Sequence, residues 1–197
     1  MSELILGGQR SGKSRCAERR AQAWLAIPGH SATLLVTALA GDGEMRERIE
    51  RHRLDRAARL PTLDIDEVPF DLAEAISQHS APNRMVLVDC LTLWLTNLSM
   101  PLSGQALDDA TRAAMRDALG EAVARAPGPV LLVSNEIGLG VTPMSPEARR
   151  FVDELGHLHQ ALAARCDRVT LMVAGIEVAV KVSGTVSGTG HGQAAGG

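Results

Sequence analysis

Short runs of consecutive apolar residues alternate along this chain with longer stretches in which apolar positions recur every three to four residues. Runs of the first kind, apolar on both faces, read as strands buried inside a parallel sheet; stretches of the second kind read as amphipathic helices. The pattern predicts strands over 4–6, 32–37, 85–89, 129–133 and 168–173, with a sixth over 178–182. It predicts helices over 13–25, 44–59, 70–78, 92–98, 108–125 and 147–165. On the last of these Phe151, Leu155, Leu158 and Leu162 form one apolar face. Strands and helices in alternation give an α/β fold, a mostly parallel sheet with helices on both faces. No internal repeat or boundary divides residues 1–182, which read as one domain. Residues 183–197 are mostly Gly, Ser, Thr and Ala, a composition expected of a disordered tail.

Composition narrows the function by exclusion. Lys and Arg number 20 against 23 Asp and Glu, so the net charge of -3 leaves no basic footprint for nucleic acid. The aromatic residues are Trp24, Trp94, Phe70 and Phe151, too few for a base-stacking platform. Cys16, Cys90 and Cys166 stand far apart with no Cys-x-x-Cys, so they read as reduced thiols. No apolar run has the length of a membrane span, and Met1-Ser2-Glu3-Leu4 lacks a basic or cleavable leader. The expectation is a cytoplasmic protein with no integral membrane segment.

The chemistry starts at Gly7-Gly8-Gln9-Arg10-Ser11-Gly12-Lys13-Ser14, which matches GxxxxGK[ST] between an apolar strand and a helix. Such a loop curls so that its N–H groups, and the start of the helix after it, face phosphate oxygens. Lys13, expected exposed at the helix start, would bridge the terminal phosphates of ATP or GTP, and Ser14 would offer its hydroxyl to Mg2+. Asp89 closes an apolar strand. It reads as the acid that holds Mg2+ beside the phosphates, facing them from the next strand, or else as a cap for the helix near Leu91. Ser134-Asn135-Glu136-Ile137-Gly138-Leu139-Gly140 puts polar groups and glycines at another strand's carboxyl end. It fits a ligand crevice and a plain strand-to-loop turn equally well. His52 shares a helix face with Met45 and Ile49 among Arg48, Arg51 and Arg53. Those cations favour a neutral, nucleophilic ring, but spacing alone reads it as a packed histidine. His157 and His159 lie two apart on a helix and are not a metal pair.

With these residues named, the chain resembles the bifunctional adenosylcobinamide kinase / adenosylcobinamide-phosphate guanylyltransferase family of cobalamin biosynthesis. The resemblance spans roughly 4–181. It rests on the loop at Gly7, on Glu44-Met45, Arg48-Ile49 and His52-Arg53, and on Val88-Asp89-Cys90-Leu91-Thr92 with Thr96-Asn97-Leu98. Ser134 to Val141 with Pro143, Arg149-Arg150-Phe151 and Ala174-Gly175 also agree. The resemblance implies a RecA-like P-loop NTPase fold and a homotrimer. It implies phosphorylation of adenosylcobinamide by ATP or GTP, then transfer of GMP from GTP to that phosphate through a guanylylated histidine. That histidine falls on His52, with Lys13 the other catalytic residue. Nucleotide contacts fall on Gly7 to Ser14, on Val36-Thr37-Ala38, on Arg53, on Asp64 (a glutamate elsewhere in the family) and on Asp89. Two other readings of the motifs are a P-loop kinase of another small metabolite, with His52 structural, and a non-enzymatic nucleotide-gated switch.

Overall fold

The computed structural model describes residues 1–39 and 59–182. The predicted helix 44–59, save its last residue, and the tail 183–197 lie outside these. In chain order the strands are β1 (Ser2–Gly7), β2 (Ser31–Val36), β3 (Asp64–Glu67), β4 (Arg84–Asp89), β5 (Val130–Asn135), β6 (Arg168–Val173) and β7 (Ile176–Lys181). The helices among the described residues are α1 (Lys13–Leu25), α2 (Leu72–His79), α3 (Leu91–Ser99), α4 (Asp109–Arg125) and α5 (Pro146–Arg165). The strands form one sheet in the order β3-β2-β4-β5-β1-β6-β7. Every neighbouring pair is parallel except β6 and β7.

Alternation of side chains along each strand divides the core into two layers. Ile5, Leu34, Leu87, Leu131 and Val133 face α1, where they pack on Cys16, Ala17 and Ala21. Leu4, Leu35, Val86, Val88, Leu132 and Val169 face the other way, onto α2 to α5, around Leu72, Trp94, Leu119, Leu155 and Leu158. Each such side chain taken fully out of water contributes about 1.5–3 kcal/mol, so the interior strands carry most of the stabilisation. The expected α/β architecture, with helices on both faces, is what forms.

Two strands differ from their expectation. β3 carries Asp-Ile-Asp-Glu with every residue exposed, so no apolar pattern announces it; ladder bonds to β2 alone make it a strand. β7 begins at Ile176, earlier than expected, and runs antiparallel to β6 after a two-residue turn. Ala174 (φ 50°) and Gly175 (φ 84°) are both left-handed in that turn, as a type I′ hairpin requires.

Helix starts are also informative. The Asp108 carboxylate accepts the Thr111 N–H at the head of α4, and the Ser145 hydroxyl accepts the Ala148 N–H at the head of α5. α1 is preceded instead by Gly12 at φ 98°, with no side-chain cap and no acid in its first turn. Its leading N–H groups and positive dipole end are thus turned to the carboxyl edge of the sheet, where an anion would satisfy them.

Candidate functional site

The loop from Gly7 to Ser14 curls back on itself. The Ser11 N–H bonds the Gly8 carbonyl (3.3 Å), and the Cys16 N–H bonds the Gly12 carbonyl (2.9 Å). Gly7 is fixed by close approach: a Cβ there would lie 2.6 Å from the Met172 carbonyl oxygen and 2.6 Å from Ser11 Oγ. Arg10 adopts φ 55°, a left-handed conformation that an L side chain takes only under constraint. The loop is also held from outside, since the Gly175 N–H in the hairpin turn donates to the Ser11 carbonyl (2.9 Å). Gly8, Gln9 and Arg10 are exposed on this loop.

Lys13 is not exposed, contrary to expectation; only 8% of it is accessible. Its Nζ donates to the Gly8 carbonyl at 2.7 Å, so the side chain lies folded along the inside of the loop. Burial pushes its ammonium below the usual lysine range, and Cys90 and Asp89 act against that shift. Ser14 and Asp89 line one small cavity beside α1, together with Glu18, Leu63 and Val88. The P-loop lysine, the P-loop serine and the strand-end acid are therefore neighbours.

Asp89 does not come from the strand next to β1, as expected. β5 stands between β4 and β1. The apolar run Val130–Val133 is buried on both faces and fills that central place. As a result the polar end of β5 lies in the middle of the carboxyl edge: Asn135 pairs with Gly7, Val133 pairs with Asp89, and the Glu136 N–H bonds the Gly7 carbonyl (2.9 Å). Ser134-Asn135-Glu136 therefore lies at the middle of the carboxyl edge, next to the P-loop.

The turn from Asp89 into α3 is tight. Cys90 sits at φ 82°, and burial raises its thiol pKa, which disfavours the thiolate. Thr37 is fully buried, and its Oγ1 bonds the carbonyls of Asp89 (2.9 Å) and Cys90 (2.8 Å). Asn97 Nδ2 in turn donates to the Thr37 carbonyl (2.7 Å). The Val36-Thr37-Ala38 segment thereby ties the ends of β2 and β4 together beside Asp89. Asp64 opens the edge strand β3, exposed and level with Thr33. β3 lies four strands from β1, about 19 Å at the usual strand spacing. His52 and Arg53 lie outside the described residues.

Sequence reasoning missed His159. It was weighed only against His157 as a metal pair, yet it falls on the apolar face of α5 with Leu155, Leu158 and Leu162. A polar ring on a core-facing stripe is the signal that could have found it. His159 is 6% exposed, with Nε2 2.7 Å from Ser134 Oγ and Nδ1 3.4 Å from Glu136 Oε2. Burial lowers its pKa, with Glu136 opposing, which favours the neutral ring. A carboxylate only accepts, so Nδ1 carries the proton toward Glu136 and Nε2 accepts the Ser134 hydroxyl. The Thr92 hydroxyl then donates to Ser134 Oγ (3.2 Å), and Thr92 Oγ1 accepts the Asn135 N–H (2.9 Å). Every donor in this chain of bonds has one acceptor, which fixes the end of β5 against α3 and α5.

The comparisons agree with the geometry. The family model described as "Cobinamide kinase / cobinamide phosphate guanyltransferase" matches residues 3–180. A "Bifunctional adenosylcobalamin biosynthesis protein CobP" from Pseudomonas aeruginosa is 50% identical, covering 92% of this chain and 98% of that one. A "Bifunctional adenosylcobalamin biosynthesis protein CobU" from Escherichia coli is 38% identical, covering 92% of this chain and all of the other. Among solved structures, flagellar accessory protein FlaH from Methanocaldococcus jannaschii superposes with a TM-score of 0.51 at 13% identity, over 92% of this chain and 78% of that one. That likeness concerns the P-loop fold alone. The match over nearly the whole chain, with P-loop, Asp89 and the Asn135-Glu136 segment on one sheet edge, places this protein in the cobinamide kinase / cobinamide phosphate guanyltransferase family.

Proposed function

We propose that the chain performs both transfers of its family at this one edge: phosphorylation of the adenosylcobinamide hydroxyl by ATP or GTP, then transfer of GMP from GTP to that phosphate. The observation that carries the reading is the convergence of Lys13, Ser14 and Asp89 beside the uncapped start of α1. The loop amides from Gly8 to Ser14 cradle the phosphates, and Lys13 leaves its bond to Gly8 to meet the terminal ones. Ser14 and Asp89, both oxygen donors on one cavity, suit Mg2+. Bound there, the ion neutralises charge on the phosphate oxygens.

In the second transfer His52 is the nucleophile. Its imidazole nitrogen attacks the α-phosphorus of GTP, pyrophosphate leaves, and a phosphate oxygen of the acceptor then displaces the histidine. Arg48, Arg51 and Arg53 favour the neutral ring and compensate the anionic transition state. Val36-Thr37-Ala38, Arg53 and Asp64 are the remaining nucleotide contacts, carried over from the resemblance. The reading extends to a cytoplasmic homotrimer. The resemblance supports the trimer, and Val173, Ile176, Val178 and Val180, all exposed on or beside the edge strand β7, offer an apolar surface for association. Among the described residues no helix is long and apolar enough to cross a membrane.

GTP labelled on the α-phosphate tests the covalent step. The label should remain on the denatured protein, survive base, be lost in acid, and map to the peptide holding Arg51-His52-Arg53. His52→Ala should abolish it while leaving kinase turnover, because the hydroxyl attacks the γ-phosphorus directly. Label on another peptide would refute the assignment.

A further inference from the structure

The kinase step must take a proton from the acceptor hydroxyl as its oxygen attacks the γ-phosphorus. We propose that Glu136 accepts this proton and that His159 is the positioning residue that holds its carboxylate in place. The inference rests on the kinase reading above but assigns residues that reading does not use.

Three observations carry it. First, Glu136 stands at the root of the P-loop, on the carboxyl edge of the sheet. Its backbone N–H is bonded to Gly7 at the root of the P-loop, and β5, the strand it follows, lies between the P-loop strand and the Asp89 strand. Second, the next residue, Ile137, lines an open groove of about 430 Å³ with Met100, Pro143, Phe151 and Val152. A largely apolar groove beginning one residue from the phosphate edge is suited to a bulky acceptor with a hydrocarbon framework. Glu136 thus lies in the chain between the P-loop contact at Gly7 and the groove that starts at Ile137, while Asp89 lines the cavity with Ser14.

Third, the carboxylate is oriented and still has room for a proton. Oε1 accepts the Gly138 N–H at 2.7 Å, and Oε2 faces His159 Nδ1 at 3.4 Å. Two oxygens offer about four lone-pair sites, so these partners leave capacity on a side chain that remains 20% exposed. His159 is itself held by Ser134, and Ser134 by Thr92. The Gly138 N–H and the facing His159 ring hold the Glu136 carboxylate from two sides, as a base within reach of its proton requires. In the step, the acceptor O–H bond breaks and its proton passes to a Glu136 oxygen. The acceptor oxygen bonds the γ-phosphorus, the bridge to the β-phosphate breaks, and the nucleoside diphosphate leaves. Glu136 then releases the proton to water.

The test measures acceptor phosphorylation by ATP and, separately, the equilibrium Kd for ATP, in the full-length protein. Glu136→Gln and His159→Leu should each lower kcat by about 10² while Kd for ATP stays within about twofold. His159→Asn, whose amide reproduces the Nδ1 donor, should recover at least about tenfold over His159→Leu. An unchanged kcat in Glu136→Gln overturns the assignment of the base. A Kd that weakens in step with kcat shows that the pair only props the P-loop, which also overturns it. An asparagine variant no better than leucine removes His159 from the role. If His159→Leu does not fold, Glu136→Gln and His159→Asn against wild type decide the matter. Absence of phosphorylation by the wild-type protein would instead overturn the kinase reading itself.

Discussion

At the scale of single residues, Lys13 shows how a ligand site is kept ready. A buried ammonium is disfavoured, and this one is held by the Gly8 carbonyl and by its nearness to Asp89. Removing it should therefore cost the fold little, within about 1 kcal/mol, since one hydrogen bond is lost and one desolvated charge is relieved. Catalysis should suffer far more. Lys13→Ala is expected to lower turnover by about 10² or more with a near-unchanged denaturation midpoint, because an oriented cation on the phosphates is gone. Near-normal turnover in a folded variant would dismantle the site. The sequence made the loop, Ser14 and Asp89 legible because spacing within one motif and position at a strand end are local properties. The burial of Lys13 was not legible, since it depends on how the loop folds over its own side chain. Nor was the Glu136–His159 pair, whose members are 23 positions apart and meet only because β5 and α5 are packed together.

At the scale of elements, the interior strands were legible, the edge strand β7 was legible save for its start, and the edge strand β3 was not. β1, β4 and β5 are apolar runs because both of their faces are covered, whereas β3 is held by ladder bonds and carries no pattern to read. β7 is held from one side by charge. Arg20 and Arg19 of α1 both bond the Glu177 carboxylate, Arg19 at 2.7 Å, and hold its pKa at about 2, down from the ordinary 4.5. Arg20 also reaches the buried Glu3 of β1 (3.2 Å), so one guanidinium joins β1, α1 and β7. At the far end Lys181 closes the strand on α5 through the carbonyls of Ala163, Ala164 and Cys166. A carboxyl whose folded pKa is depressed contributes stability above its unfolded pKa and loses it as pH falls toward the folded value. Wild type should therefore be more stable than Glu177→Gln at pH 7. The gap should narrow below about pH 4.5 and close near pH 2. Urea midpoints of the two proteins across that range would show it; a gap independent of pH would mean that packing and not the charge pair ties β7 to α1.

At the scale of the whole molecule, the sheet order follows from burial. The most apolar strands take the centre, and polar or half-covered strands take the rims. The rim at β7 leaves Ile176, Val178 and Val180 open, and it is joined to the P-loop by the bond from the Gly175 N–H to the Ser11 carbonyl. That bond braces the P-loop from outside against the hairpin turn. Anything that stiffens the hairpin also settles the cradle, and by reciprocity a filled cradle settles the hairpin. Should chains associate through this face, nucleotide binding and association would draw on one coupling free energy, and each would sharpen the other by the same factor. The apparent affinity for ATP should rise as the protein is concentrated through its assembly range, and Val178→Asp, by keeping chains apart, should flatten that rise. An affinity constant over the whole range would show the turn to be rigid already. A rising affinity would mean that this enzyme responds to its own abundance: dilute chains would hold their nucleotide loosely, and crowded ones would hold it firmly.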